Sequence, residues 1–432
     1  VPSHITRSPS TGYYFGMTRL RYGFNSSFRL LAALIVYGAI FFEVMLYTLS
    51  LEGNGATLWI ILAAQTIRIL LYPSVGALTT ILSIAYFTLF LFPSIGLILY
   101  DGILPLQSVS AFIISFDFLR TFARPHWKNS HPTHLITTRR AIFLFFATQV
   151  WMIASPFVLS SGLITLVAPL SISAILFEVM LRSKRKKSII VPAMLSYGLV
   201  FFSYALLHWS GFGRLVVGTY LIYVFVVAMY YYDVKFRVWL VPAILPLALY
   251  LAQLSRYGTV DNFAVLVGGS AGHHMIVTED AINYAEEGRP LGLLAFWEQF
   301  QLLFLGWFPR IIWPEKPSGL GLTSVDTLYG RAGVAANHSI SLGFLGEQYL
   351  LLGNFAYAGL SLMLVTILFL RRLVSLFSRG LIAPIAAFDV SLISFFWGSM
   401  STFGNRVWFL VVPGLLFLFI LRLQLGKAKR SS

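Results

Sequence analysis

Apolar segments of about 17 to 25 residues, each long enough to cross a hydrocarbon core about 30 Å thick, recur along nearly the whole of this chain. Only helices and closed barrels satisfy their own backbone in such a solvent, and segments of this length are helical. The chain is therefore expected to be an all-α polytopic membrane protein. Its composition agrees, with 58% hydrophobic and 11% charged residues against about 25% charged in soluble domains. The absence of cysteine excludes disulfides, thiol nucleophiles and thiolate metal sites. The first 28 residues are polar and basic, so no cleavable leader is expected and the first span anchors itself.

About twelve spans are expected, near 29 to 50, 57 to 73, 76 to 99, 104 to 122, 141 to 160, 162 to 181, 189 to 208, 215 to 232, 237 to 254, 343 to 370, 381 to 399 and 405 to 423. This divides the chain into a basic segment 1–28, nine spans over 29–254, a large loop over 255–342, and a final part 343–432 with three spans and a basic tail. Basic residues collect on the cytoplasmic side of membrane proteins. With both termini inside, all but seven of the 31 Lys and Arg fall there, among them Arg182 to Lys187, Arg371-Arg372 and the tail from Lys427 to Arg430. The net charge of +15 is then a matter of topology, and no nucleic-acid role is assigned to it.

The seven outward cations are Arg214, Arg256, Arg289, Arg310, Lys316, Arg331 and Arg406. Five of them lie in one loop. Either they pair with the loop's carboxylates and lipid headgroups, or they form an anion site, for which planar guanidinium groups suit bidentate phosphate capture. The same loop is the long polar interruption of the chain. Nine of the sixteen carboxylates lie between Asp261 and Glu347, with three of the eight histidines and the run Phe308-Pro-Arg-Ile-Ile-Trp-Pro-Glu-Lys-Pro317. Within it, Leu291 to Trp307 is apolar enough for a short helix lying on or dipping into the membrane. His273, His274, Glu279 and Asp280 could be read as metal ligands, but they lack a third convergent imidazole or carboxylate, and no metal is expected.

No Walker-type glycine loop and no dinucleotide fingerprint occurs, so nucleotide-driven work is not expected. A secondary transporter would also suit twelve spans, yet the single long loop after the ninth breaks a six-plus-six arrangement. An ionisable group at a helix centre costs about 2.5 to 3.5 kcal/mol on insertion scales. Arg68, Asp117, Arg120 and Glu178 lie near cytoplasmic span ends, where snorkelling suffices. Glu43 and Asp389 lie deeper, and are either interhelical hydrogen-bonding groups or a transporter's coupling sites.

Pro309-Arg310, Trp313-Pro314 and Lys316-Pro317, followed by Gly346-Glu347-Gln-Tyr349 ahead of Gly353, resemble the pattern of the Wzy-type O-antigen and exopolysaccharide repeat-unit polymerases. The motifs cover roughly residues 300 to 360, and the rest of the chain resembles that family in architecture only. The sequence departs from the pattern at Leu351, where Asn is common, and at Ala356, where a second Gly is common.

The resemblance implies a membrane glycosyltransferase of GT-C-like architecture, similar to the O-antigen ligases, with its active site on the outer face of a bacterial inner membrane. It would transfer a glycan from a polyprenyl (undecaprenyl) diphosphate carrier to a newly flipped repeat unit. No nucleotide sugar, metal or other cofactor is implied. The implied partners are the lipid-linked oligosaccharide, membrane lipids, a polysaccharide co-polymerase and a flippase. A ligase using the same donor, and a polysaccharide or lipid transporter, are the competing expectations. A diphosphate leaving group needs positive charge, for which Arg310 is the first candidate, then Lys316, Arg331 and Arg214, then Arg256 and Arg406. Glu347 and His338 are the candidate bases. Trp307, Trp313 and Tyr329 are candidates for stacking on sugars, or for anchoring at the interface.

Overall fold

A computed structural model describes residues 29–42, 55–71, 76–123, 136–159, 163–182, 189–207, 214–232, 272–330, 340–378, 380–398 and 400–430. The expected span at 237 to 254 and Glu43 lie outside the described residues. The described residues are helices and turns, with no strand among them. The chain separates into two units, one made of Val1–Val75 with Lys235–Leu240 and the other of the rest. In the first unit, helix α1 is Arg29–Phe42 and α2 is Gly55–Leu70. Arg68 does not snorkel as expected. It is buried in α2 and donates to Gln65 Oε1 at 3.1 Å.

In the second unit, α3 is Ala77–Leu99, α4 Leu106–Phe122, α5 Thr138–Ala154, α6 Ala168–Arg182, α7 Ile190–Leu207 and α8 Arg214–Tyr232. The loop region carries α9, His273–Glu286, α10, Leu293–Leu305, and α11, Leu320–Tyr329. After it come α12, Gly343–Leu352, α13, Ala356–Ser378, α14, Ala383–Trp397, and α15, Met400–Arg430. Five stretches are long and apolar enough to cross a membrane: Ala77–Leu99, Thr138–Phe157, Ile164–Arg182, Gly343–Ser378 and Met400–Arg422. Several other apolar helices are shorter.

Local sequence explains the interruptions. Pro93 has no N–H to donate and its ring crowds the preceding turn, and α3 widens on both sides of it, at Tyr86–Leu91 and Leu97–Asp101. Gly353 adopts φ +56°, which only glycine takes without strain, and divides α12 from α13.

Helix α14 is the hub of this unit. It is buried along Ala383 to Phe396 and packs on α3, α6, α8, α12, α13 and α15. Phe90 of α3 stacks on Phe112 of α4 with centroids 4.1 Å apart, and Phe112 meets Phe396 of α14 edge-on at 4.7 Å. Each such pair contributes about 0.5–1.5 kcal/mol beyond its area burial.

The first half of α14 is fastened by two buried carboxylates. Glu178 of α6 is 0% exposed and accepts from the backbone N–H groups of Ile382 at 2.7 Å and Ala383 at 2.7 Å. It thereby satisfies orphan donors at the α14 N-terminus. Arg182 bonds Glu178 at 2.9 Å and the Gly380 carbonyl at 2.7 Å. So Glu178, expected to be structural near a span end by snorkelling, is structural as an interior cap. Arg371, expected in a basic loop, is likewise buried, and its guanidinium grips Asp389 through two bonds of 2.7 and 2.9 Å. Tyr230 donates to the same carboxylate. Asp389 is thus an interhelical hydrogen-bonding group, one of the two readings its position allowed.

Candidate functional site

The loop is built onto the bundle by close backbone contacts. Helix α9 lies on α12, where Thr278 Oγ1 donates to Leu342 O at 2.9 Å, and a Cβ at Gly346 would come within 2.9 Å of Thr278 Cα. The last carbonyls of α12 are satisfied from outside the helix, as Leu291 N–H donates to Leu350 O at 2.9 Å and Gly292 N–H to Leu351 O at 2.8 Å. That chain reversal starts α10, which is the short helix the apolar run 291 to 307 predicts. One face of α10, with Phe296, Gln299, Leu302 and Leu303, is buried. Leu293, Leu294 and Trp297 are exposed on it. Helix α10 crosses α15 at Gly404, where any Cβ would collide with Leu302 O, and Trp408 Nε1 donates to Leu303 O at 2.7 Å.

The Pro-Arg-Ile-Ile-Trp-Pro-Glu-Lys-Pro run leaves the end of α10 as a turn held by its own cations. Lys316 Nζ donates to the carbonyls of Gly306 and Phe308, the former without a helical partner at the end of α10. Arg310 Nη1 donates to Lys316 O at 2.7 Å while the side chain remains exposed. Neither cation has a carboxylate within ion-pairing distance among the described residues. Burial lowers the Lys316 pKa, and the neighbouring Arg310 charge lowers it further. With Arg310 and Lys316 against the single carboxylate of Glu315, the turn is net positive and favours an anion.

Glu347 lies in α12, 1% exposed, and does not sit at the start of its own helix as a dipole-stabilised carboxylate would. Its Oε2 accepts from Met400 N–H at 2.7 Å, the first residue of α15. Its Oε1 has no partner among the described residues. The neighbouring Gln348, 1% exposed, has neither amide atom satisfied, and the same holds for Gln299 Oε1 and Asn405 Oδ1. They lie on α12, on α15 and on α10, which packs against both. Gln299 Nε2 donates to Ser318 O at 3.0 Å, Gly319 abuts Ser401 Oγ, Gly306 abuts Asn405 Oδ1, and Gly359 abuts Gln348 Oε1 and Phe296.

Four of the residues singled out in the sequence are thus each connected to the first two turns of α15. Glu347 caps α15, Arg406 stands one and a half turns along α15 and donates to Ser394 Oγ at 2.8 Å, and the Arg310–Lys316 turn adjoins α15 through Gly306 and Asn405. Trp307 packs on Phe308 with centroids 4.3 Å apart and donates to Phe304 O at 3.0 Å. Trp313 is half-buried in the same turn. Tyr329 stands apart, on α11, where it donates to Asp280 of α9. Burial and that acceptor raise its pKa. Arg214 begins α8, and its side chain is outside what is described. Arg256, Arg331 and His338 lie outside the described residues.

Among the described residues, no three His, Asp or Glu side chains form a group that could hold a metal ion. His274 is buried between Phe90 and Trp397, at centroid distances of 5.6 and 5.1 Å. Glu279 has its pKa pushed up to about 7, by burial first and then by Asp280 and Glu286. The buried amides Gln299, Gln348 and Asn405 were missed in the sequence because uncharged groups do not show in a charge count. An amide beside a small residue inside an apolar stretch, as at Gly346 to Gln348, would have flagged them.

Comparisons with protein-family models, with curated proteins and with solved structures return no match for this chain.

Proposed function

We propose that this chain is a repeat-unit polymerase: a membrane glycosyltransferase of about twelve spans and GT-C-like architecture that joins polyprenyl-diphosphate-linked oligosaccharides on the outer face of a bacterial inner membrane, with both termini inside. The observation that carries this reading is the pairing of two features at the start of α15. One is a cationic turn whose Arg310 and Lys316 form no ion pair among the described residues, and the other is a buried carboxylate with one oxygen unengaged among them.

In the reaction, an acceptor sugar hydroxyl oxygen bonds to the anomeric carbon of the donor glycan. The bond from that carbon to the diphosphate oxygen breaks, and its electron pair leaves on the lipid diphosphate. Arg310 and Lys316 stabilise the negative charge that develops there. The hydroxyl proton passes to Glu347, whose partner-free oxygen is the acceptor. No nucleotide takes part.

Of the two deep carboxylates a coupled transporter would use, Asp389 is closed by Arg371 and Tyr230, which speaks against that role for it, and Glu43 lies outside the described residues. The test is gel analysis of glycan from a host lacking its own polymerase. The intact gene should restore a ladder and Arg310→Ala should not, at equal abundance in the membrane. A single repeat unit on the acceptor from both genes would overturn the polymerase reading in favour of a ligase or transporter.

A further inference from the structure

The contacts around the start of α15 close on themselves. Phe296 and Gln299 share one face of α10, and Gln299 holds Ser318. Gly319 touches Ser401, Met400 donates to Glu347, and Gln348 returns through Gly359 to Phe296. Within this ring and one turn beyond it, at Asn405, five buried polar atoms have no partner among the described residues: Gln299 Oε1, Glu347 Oε1, Gln348 Oε1, Gln348 Nε2 and Asn405 Oδ1. A buried amide left unsatisfied is less stable than an apolar side chain of the same shape, so each such group calls for an explanation. Four of the five atoms accept hydrogen bonds. Phosphate oxygens, which also accept, cannot satisfy them, whereas hydroxyl groups can donate to them and can accept from Gln348 Nε2.

We infer that Gln299, Gln348 and Asn405, beside Glu347, form a polyol subsite that reads the hydroxyls of a sugar, adjoining the Arg310–Lys316 turn that takes the diphosphate. The two subsites share Gly306, whose carbonyl holds Lys316 and whose Cα abuts Asn405. This inference rests on the proposed glycosyl transfer and assigns the sugar-specific part of recognition to uncharged residues. A site built to bond a hydroxyl discriminates strongly, because a wrong ligand leaves its polar atoms unpaired.

The test uses Gln348→Met, an unbranched replacement of similar length that gives up no bond to described residues, and Gln299→Met, which also gives up the bond to Ser318. In the polymerase-deficient host the ladder should fall by about tenfold or more with either variant. The purified Gln348→Met protein should melt at or above the temperature of the intact chain. A full ladder from Gln348→Met, where the intact chain also makes one, overturns the subsite and leaves the polymerase reading standing. A lowered melting temperature for Gln348→Met also overturns it, by showing a structural role for the amide. If the intact chain makes no ladder, the polymerase reading fails. The subsite is then judged by thermal shift with farnesyl diphosphate and with farnesyl diphosphate bearing one N-acetylglucosamine. A larger upward shift with the glycosylated lipid, lost in Gln348→Met, supports it, and equal shifts overturn it.

Discussion

The two ends of α14 bury carboxylates in opposite ways. At its start, Glu178 and Asp389 have their oxygens engaged, by backbone N–H groups and Arg182 in one case and by Arg371 and Tyr230 in the other. Past its end, Glu347 is equally buried but holds a single N–H among the described residues, and Gln348 beside it in sequence, Gln299 on α10 and Asn405 on α15 also have atoms unsatisfied there. A buried ionised group without partners costs several kcal/mol or more, so proteins either pair such groups or leave them for a ligand to complete. The first end is mechanical. The second is where chemistry can happen.

The contrast can be broken most directly at the mechanical end. Asp389→Ala leaves Arg371 buried and unpaired and should destabilise the protein by about 3–5 kcal/mol, read as a lower melting temperature in detergent. The double variant Arg371→Met with Asp389→Leu should recover most of it. A harmless single variant would show that the clamp does not fasten α14.

A smaller effect is expected from pH. The folded protein holds a proton on Glu279 up to about pH 7, whereas the unfolded chain releases it near 4.5. The stabilisation is complete below pH 4.5 and is lost as pH rises through 7, by at most about 3 kcal/mol at 1.36 kcal/mol per unit. Glu279→Gln should flatten that slope. An unchanged slope would mean that the carboxyl is solvated.

Gly404→Ala pushes a methyl group into the α10 backbone and should cost about 1–3 kcal/mol. It should also lower activity, because the cationic turn hangs from the end of α10. Unaltered melting would show that the helices do not cross so closely. Glu347→Gln keeps an acceptor for Met400 N–H and should change stability by about 1 kcal/mol or less, while activity falls by about a hundredfold or more. Equal activity would remove Glu347 as the proton acceptor.

Much of the helix placement was legible in the sequence, because apolar length and a polar interruption are local properties. Helices occupy most of the described parts of the expected spans, and the apolar run before Pro309 does form a short helix. The fastening groups were not legible. Arg371 stands beside Arg372 and reads as one more basic loop residue, and only packing of α13 on α14 reveals its partner, 18 positions away. Glu178 fails for the same reason, since the N–H groups it caps are more than 200 positions distant. The charged groups of the candidate site stand out in the sequence and its amides do not. Arg310, Lys316 and Glu347 carry formal charge in an apolar chain, whereas Gln299, Gln348 and Asn405 acquire meaning only once burial strips them of water.

The most direct measurement is release of lipid diphosphate by the purified protein supplied with polyprenyl-diphosphate-linked repeat units, for the intact chain and Arg310→Ala. Because Arg310 is exposed and, among the described residues, bonds one carbonyl, the two proteins should melt together. The account predicts one lipid diphosphate released per repeat unit joined by the intact chain, and almost none by Arg310→Ala. Equal release from both, or none from the intact chain, would contradict it.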